Sequence, residues 1–83
     1  MAEEAAIVEG FVSVRAVFKS GSRAIHRIYI RRGKWDKGIA WLEHNTSAEG
    51  IAVERVSADE IDAIASGSSH GGVVAEVGPR RFG

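Results

Sequence analysis

Few residues in this 83-residue chain offer a start to chemistry. Its three histidines, His26, His44 and His70, fall at no metal-ligand spacing, with neither a His-x-x-x-His pair nor paired carboxylates beside them. Cysteine is absent, which removes thiolate ligands, thiol nucleophiles and disulfides together. Ser69 and His70 are neighbours in a glycine-rich stretch, not a preorganised nucleophile and base, and no serine occupies a Gly-x-Ser-x-Gly elbow. Gly67, Gly71 and Gly72 lead into an apolar run and not into a helix, so they are neither a phosphate loop nor a dinucleotide fingerprint. Glu60 and Asp62 read as helix-capping and solvent-facing acids. The pattern holds no catalytic centre, metal site or cofactor site, and the chemistry left to it is binding.

For binding the material is better. Net charge is formally zero, yet the charges are sorted along the chain. Arg15, Lys19, Arg23, Arg27, Arg31, Arg32, Lys34 and Lys37 are opposed only by Asp36. From Glu43 to Asp62 the sense reverses, with Arg55 the lone cation among acids. A fold that gathers the first group on one face makes a basic side able to meet a phosphate backbone; the alternative is ordinary solvated charge. Tyr29, Trp35, Trp41 and His70 are rings able to stack on an unpaired base. Tyr29 also suits a core. Trp35 and Trp41, six apart, cannot share one helix face, so one is expected to anchor a helix to a sheet and the other to cover a surface edge. His70 has little packing rationale in Ser66-Gly67-Ser68-Ser69-His70-Gly71-Gly72, where it either meets solvent or contacts a ligand.

These groups need elements to hold them. Ala5 to Val8 reads as a first strand, and Gly10 opens a helix with Phe11, Val14, Val17 and Phe18 on one apolar stripe, ended by Ser20-Gly21-Ser22. Arg23 to Arg31 is a β-branched and aromatic run, the signature of a central strand. Asp36 is placed to cap a second helix with Ile39, Leu42 and Thr46 inward. Gly38 and Asn45-Thr46-Ser47 weaken that helix, and its last turn is expected to fray before Gly50. Ile51 to Val56 is a third strand, and Ser57-Ala58-Asp59-Glu60 matches a capping box for a short helix with Ile61, Ile64 and Ala65 inward. Val73 to Val77 is the last strand. The alternation predicts one small α/β domain whose helices cover the sheet faces.

The acidic start Met1-Ala2-Glu3-Glu4 is unlike a secretory signal, and no apolar run reaches membrane-spanning length. With no cysteine, the expectation is a cytoplasmic protein without a membrane or metal partner.

Several strings together point to a family. Gly10 with Ser13-Val14, Arg23-Ala24-Ile25 before Ile28-Tyr29-Ile30, Gly50-Ile51-Ala52-Val53, Val56-Ser57 and, most specifically, His70-Gly71-Gly72-Val73-Val74-Ala75 recur in order. In these the chain resembles, over nearly its whole length, the N-terminal substrate-binding domain of SpoU/TrmH-type RNA 2'-O-ribose methyltransferases. The resemblance implies an α-β-α sandwich with a four-stranded sheet, similar to kink-turn-binding ribosomal proteins. It implies that residues 1–78 hold structured rRNA or tRNA, and that 79–83 begin a linker to a separate C-terminal catalytic domain. That domain binds S-adenosylmethionine and transfers its methyl group to a ribose 2'-hydroxyl; no cofactor is expected in these 83 residues.

Carried over by position, the resemblance places Gly10, Arg23, His70 and Gly72 at the RNA face; Gly71, between the last two, is counted with them, and the charge pattern adds Arg15, Lys19, Arg31, Arg32 and Lys34. Two positions depart from the family pattern. Val12 stands where a polar residue such as asparagine or histidine is common, and Gly71 where glutamine is, which implies a different RNA or a grip made more by backbone. The other readings are a protein-interaction module packing on its catalytic domain or a partner, and a stand-alone kink-turn-type RNA binder.

Overall fold

The computed structural model describes residues 6–21, 23–65 and 71–80. Strands and helices alternate as β1 (Ala6–Glu9), α1 (Phe11–Ser20), β2 (Arg23–Arg31), α2 (Lys37–Ala48), β3 (Ala52–Val56), α3 (Ala58–Ala65) and β4 (Val73–Arg80). They form a four-stranded mixed sheet in the order β1-β4-β2-β3. β4 runs antiparallel to both neighbours, while β2 and β3 are parallel.

The apolar runs predict the two inner strands, because a strand covered on both faces needs hydrophobic residues on both. Ile28 and Ile30 of β2 and Val73, Ala75 and Val77 of β4 face one way, buried with Val14 of α1 and Ile39 and Leu42 of α2. Val74 faces the other way, into a smaller cluster with Val56, Ile61 and Ala65, against which Tyr29 and Ile64 pack. Helices α1 and α2 therefore cover one face and α3 the other, which is the α-β-α arrangement expected.

Local chemistry sets the helix starts. The Asp36 carboxylate accepts a hydrogen bond from the Ile39 amide at 2.9 Å, as predicted for an N-cap. The capping box also closes, with the Glu60 amide donating to Ser57 Oγ at 3.1 Å and the Ser57 amide to Glu60 Oε1 at 3.4 Å. Both are the first bonds of helices whose positions place the chain's loops.

Four boundary expectations are corrected. β1, Ala6–Glu9, runs one residue past the expected Val8, with Ala5 outside the described residues, and β3 begins at Ala52 and not Ile51. β4 does not stop at Val77 but continues to Arg80, because Arg23 at the start of β2 pairs with Arg80. The last turn of α2 holds to Ala48. Thr46 is fully buried there and its hydroxyl donates to the Leu42 carbonyl at 2.7 Å, while the Asn45 amide donates to the Trp41 carbonyl at 2.7 Å. Side chains that favour turns when free here bond back within the helix, so their low propensity is offset. Gly38 has a packing role as well: a Cβ there would lie 2.9 Å from Cζ of Phe11, so α1 and α2 approach through the missing side chain.

Candidate functional site

Because β4 is antiparallel to β1 and β2, the ends of β1 and β2 and the beginning of β4 meet at one end of the sheet. The Gly10 amide donates to the Val73 carbonyl at 2.9 Å, Arg31 to Gly72 at 2.9 Å, Arg32 to Val56 at 2.8 Å and Lys34 to Arg31 at 3.1 Å. Gly10, Arg31, Arg32, Lys34, Gly71 and Gly72 thereby form one edge from three separate stretches of chain. Gly72 is required twice over. Its φ of 87° is strained for any L side chain, and a Cβ there would lie 2.8 Å from Cδ of Lys34. The lysine stem occupies the space, and Lys34 accordingly keeps a side chain only 24% exposed. Gly10, with φ 90° and ψ 146°, is likewise in a region that favours glycine as it turns β1 into α1.

Other sequence-selected residues are not brought to that edge. Arg23 begins β2, eight residues before Arg31, which at the rise of a strand is about 25 Å away. It lines a shallow recess of about 260 Å³ at the opposite end, with Phe18, Gly21, Ile25, Glu49 and Ile51 among its walls. Arg15 and Lys19 project from α1 toward Trp41, their charged groups 5.6 and 5.8 Å from its ring centroid. Phe18 meets the same ring edge to face at 5.9 Å. Trp41 packs against the main core and is the anchoring tryptophan. His70 lies outside the described residues, as do Ser66, Gly67, Ser68 and Ser69.

Electrostatics sharpens the division. Arg27 is held by Glu54 at 2.8 Å, and the Tyr29 hydroxyl followed by Glu54 keeps its guanidinium pKa above the ordinary value. It is a neutralised member of the basic run. Asp36 sits below the usual carboxylate range, chiefly because the Ile39 amide donates to the charged form, with Lys34 at 3.7 Å adding to the effect. Arg31 and Arg32 are exposed and have no ion pair among the described residues. The edge can therefore offer phosphate two guanidiniums without an ion pair among the described residues and one seated ammonium, beside the exposed backbone of Gly71, whereas Gly72 is buried against the Lys34 stem.

Two contributors, Arg55 and Trp35, stand out in the sequence as a lone cation among acids and a ring able to stack, but nothing there places them at the RNA face. Arg55, the cation within the acidic stretch, crosses to the basic turn: Nη1 donates to the Lys34 carbonyl at 2.7 Å and the Arg31 carbonyl at 3.3 Å, and Nη2 meets Glu43 at 3.1 Å. Its guanidinium also lies 5.6 Å from the centroid of Trp35. Trp35 precedes the Asp36 cap instead of sitting on α2, and it is 64% exposed. The available signal was a charge of the wrong sign in a sorted run and a tryptophan between a lysine and an N-cap. Among the described residues no group of three or more histidine, cysteine or acidic side chains is placed to hold a metal ion, and no helix is long and apolar enough to cross a membrane.

Comparison with known proteins gives a matching family model, described as RNA 2'-O ribose methyltransferase substrate binding, over residues 7–83. Similar curated proteins are the 23S rRNA (guanosine-2'-O-)-methyltransferases RlmB of Escherichia coli (strain K12), Shigella flexneri and Salmonella typhimurium. Each is 24% identical over 75 residues, which is 90% of this chain and 31% of the relative. The chain thus spans about a third of the length of the curated relatives it matches.

Proposed function

This chain belongs to the family of RNA 2'-O ribose methyltransferase substrate-binding domains, and from that premise we propose that it grips structured rRNA or tRNA at the glycine- and cation-lined end of its sheet. The observation that carries this reading is the meeting of Gly10, Gly72 and Arg31 through the hydrogen bonds that join β1 and β2 to the start of β4, with Arg32 tied to the end of β3 and Lys34 to Arg31 beside them. Exposed guanidiniums supply salt-sensitive phosphate contacts, and the exposed backbone at Gly71 lets a phosphate or ribose approach closely. Gly71 lies at the same edge, and His70, which precedes it in sequence and lies outside the described residues, keeps the RNA-contacting role that the resemblance implies.

In the same reading the domain docks beside its own catalytic domain in a longer cytoplasmic protein. That domain uses S-adenosylmethionine to methylate a ribose 2'-hydroxyl. No residue of this chain is given a role toward the cofactor; the contribution here is to hold and orient the acceptor RNA. A supporting feature for the docking is Ile7, 40% exposed on the edge strand β1, while its neighbours Ala6 and Val8 pack inward.

Filter binding of this chain to rRNA and tRNA fragments at several salt concentrations tests the proposal. Affinity should fall steeply with salt, and Arg31→Ala or Arg32→Ala should each weaken binding and lower the log–log salt slope by roughly one. Binding indifferent to salt would refute it. Loss confined to Arg15→Ala, Lys19→Ala and Arg23→Ala would move the interface to α1 and the far end of β2.

A further inference from the structure

We infer that Trp35 is a stacking platform for an unpaired nucleobase, so that the RNA this domain takes presents an unstacked base beside its phosphate contacts; the inference rests on the RNA-binding reading above.

The ring is exposed by construction. Of the two tryptophans in the chain, Trp41 packs against the core, whereas Trp35 leaves 64% of its surface to solvent. Burying an indole is strongly favourable, so a fold that leaves one out forgoes that gain. Its backbone, however, is tied on both sides. The Lys34 amide donates to Arg31 and the Lys34 carbonyl accepts from Arg55 at 2.7 Å; the Asp36 carboxylate accepts from Ile39, and its carbonyl from Ala40 at 3.0 Å. Arg55 lies over the ring, and that guanidinium is itself held by Glu43 and two carbonyls. An aromatic surface backed by a fixed cation and held before any ligand arrives loses little freedom when a base lands on it.

The surroundings select nucleic acid. Arg32, Lys34 and Lys37 lie within three residues of Trp35, and at 3.8 Å between successive Cα atoms their backbones are all within about 11 Å of it. The acids beside it are already engaged: Asp36 with the Ile39 amide and Lys34, and Glu43 with Arg55. A flat ring among cations with its carboxylates occupied matches the pairing of stacked bases with tracked phosphates that single-stranded RNA demands, and a base in a continuous duplex cannot reach it.

The test uses the whole chain in a Trp41→Phe background, so that Trp35 is the only tryptophan. It is titrated with an RNA hairpin carrying an unpaired loop and with a blunt duplex. The loop RNA should quench Trp35 fluorescence and the duplex should not. Trp35→Ala should weaken loop binding about tenfold, with Trp35→Phe recovering most of it and duplex affinity moving by less than about twofold. Circular dichroism of each variant guards against a folding defect, and the phenylalanine variant keeps the ring if alanine proves disruptive. Loop RNA bound in a salt-sensitive way, with no quenching and unchanged affinity in both variants, would overturn the inference, leave the ring to a protein partner and leave the RNA-binding function standing. Failure of both RNAs to bind would remove that function and this inference with it.

Discussion

Replacing Arg55 with alanine tests whether one guanidinium holds the turn between β2 and α2. The side chain is 31% exposed and joins the Lys34 carbonyl, the Arg31 carbonyl, Glu43 and the Trp35 ring. The charge-assisted bond to the Lys34 carbonyl, screened because the group is partly wet, contributes about 1 kcal/mol. The Glu43 pair, with both side chains close to a third exposed, adds about 0.5 kcal/mol, and the exposed ring contact about 0.5 kcal/mol. The loss is then about 2 kcal/mol, and for a domain of this size the unfolding midpoint should drop by about 10 °C. Arg55→Lys keeps the charge but cannot fork between carbonyl and carboxylate, so it should lose about half as much. Thermal unfolding followed by far-ultraviolet circular dichroism measures both. A fall of less than about 3 °C in the alanine variant would refute the reasoning, and would mean that the Asp36 cap and the backbone bonds hold the turn without it.

Gly38→Ala should destabilise the domain by about 1 kcal/mol: helix propensity favours alanine by about 1 kcal/mol, but overpacking against Phe11 costs about 1–3 kcal/mol, and a raised unfolding midpoint would show that the ring moves aside freely. Asp36→Ala should lower stability at neutral pH, and its deficit should shrink in acid. The folded carboxyl lies below its ordinary value, so its contribution is whole above the unfolded pKa and is lost as pH falls through the folded one. Chemical denaturation across that acid range checks this, and a deficit that stays constant with pH would refute it.

What the sequence made legible followed from short-range rules. The stripe Phe11, Val14, Val17, Phe18, the Asp36 cap and the Ser57–Glu60 box each depend on residues within a turn or two of one another, and each formed as read. What it left hidden required partners far apart in the chain. Insertion of β4 between β1 and β2 brings Gly10 to Val73, and no periodicity encodes that pairing. Arg55 and Glu43 are twelve positions apart, and Arg55 and Lys34 twenty-one. The resemblance places Gly72 at the RNA face, but nothing in the sequence shows that the Lys34 stem, thirty-eight positions away, lies in the space a Gly72 Cβ would fill.

The basic run shows why a one-dimensional charge count is a poor map of a surface. Arg15 and Lys19 lie on α1, Arg23 begins β2 and Arg31 ends it, so a block of like charge in sequence is stretched along the full length of the sheet. Separation by about 25 Å exceeds the Debye length of about 8 Å at physiological salt, so the two ends act as independent patches toward a phosphate backbone. Among the described residues, only the Arg31 end combines cations without an ion pair, exposed glycine backbone and an exposed ring. It follows that the contributions of Arg31 and Arg23 to RNA affinity should be separable: because contacts this distant and without shared partners add, the double variant should lose the sum of the single losses. A coupling between them well beyond about 0.5 kcal/mol would mean that one RNA feature bridges both ends, and that the grip runs along the sheet instead of across its edge.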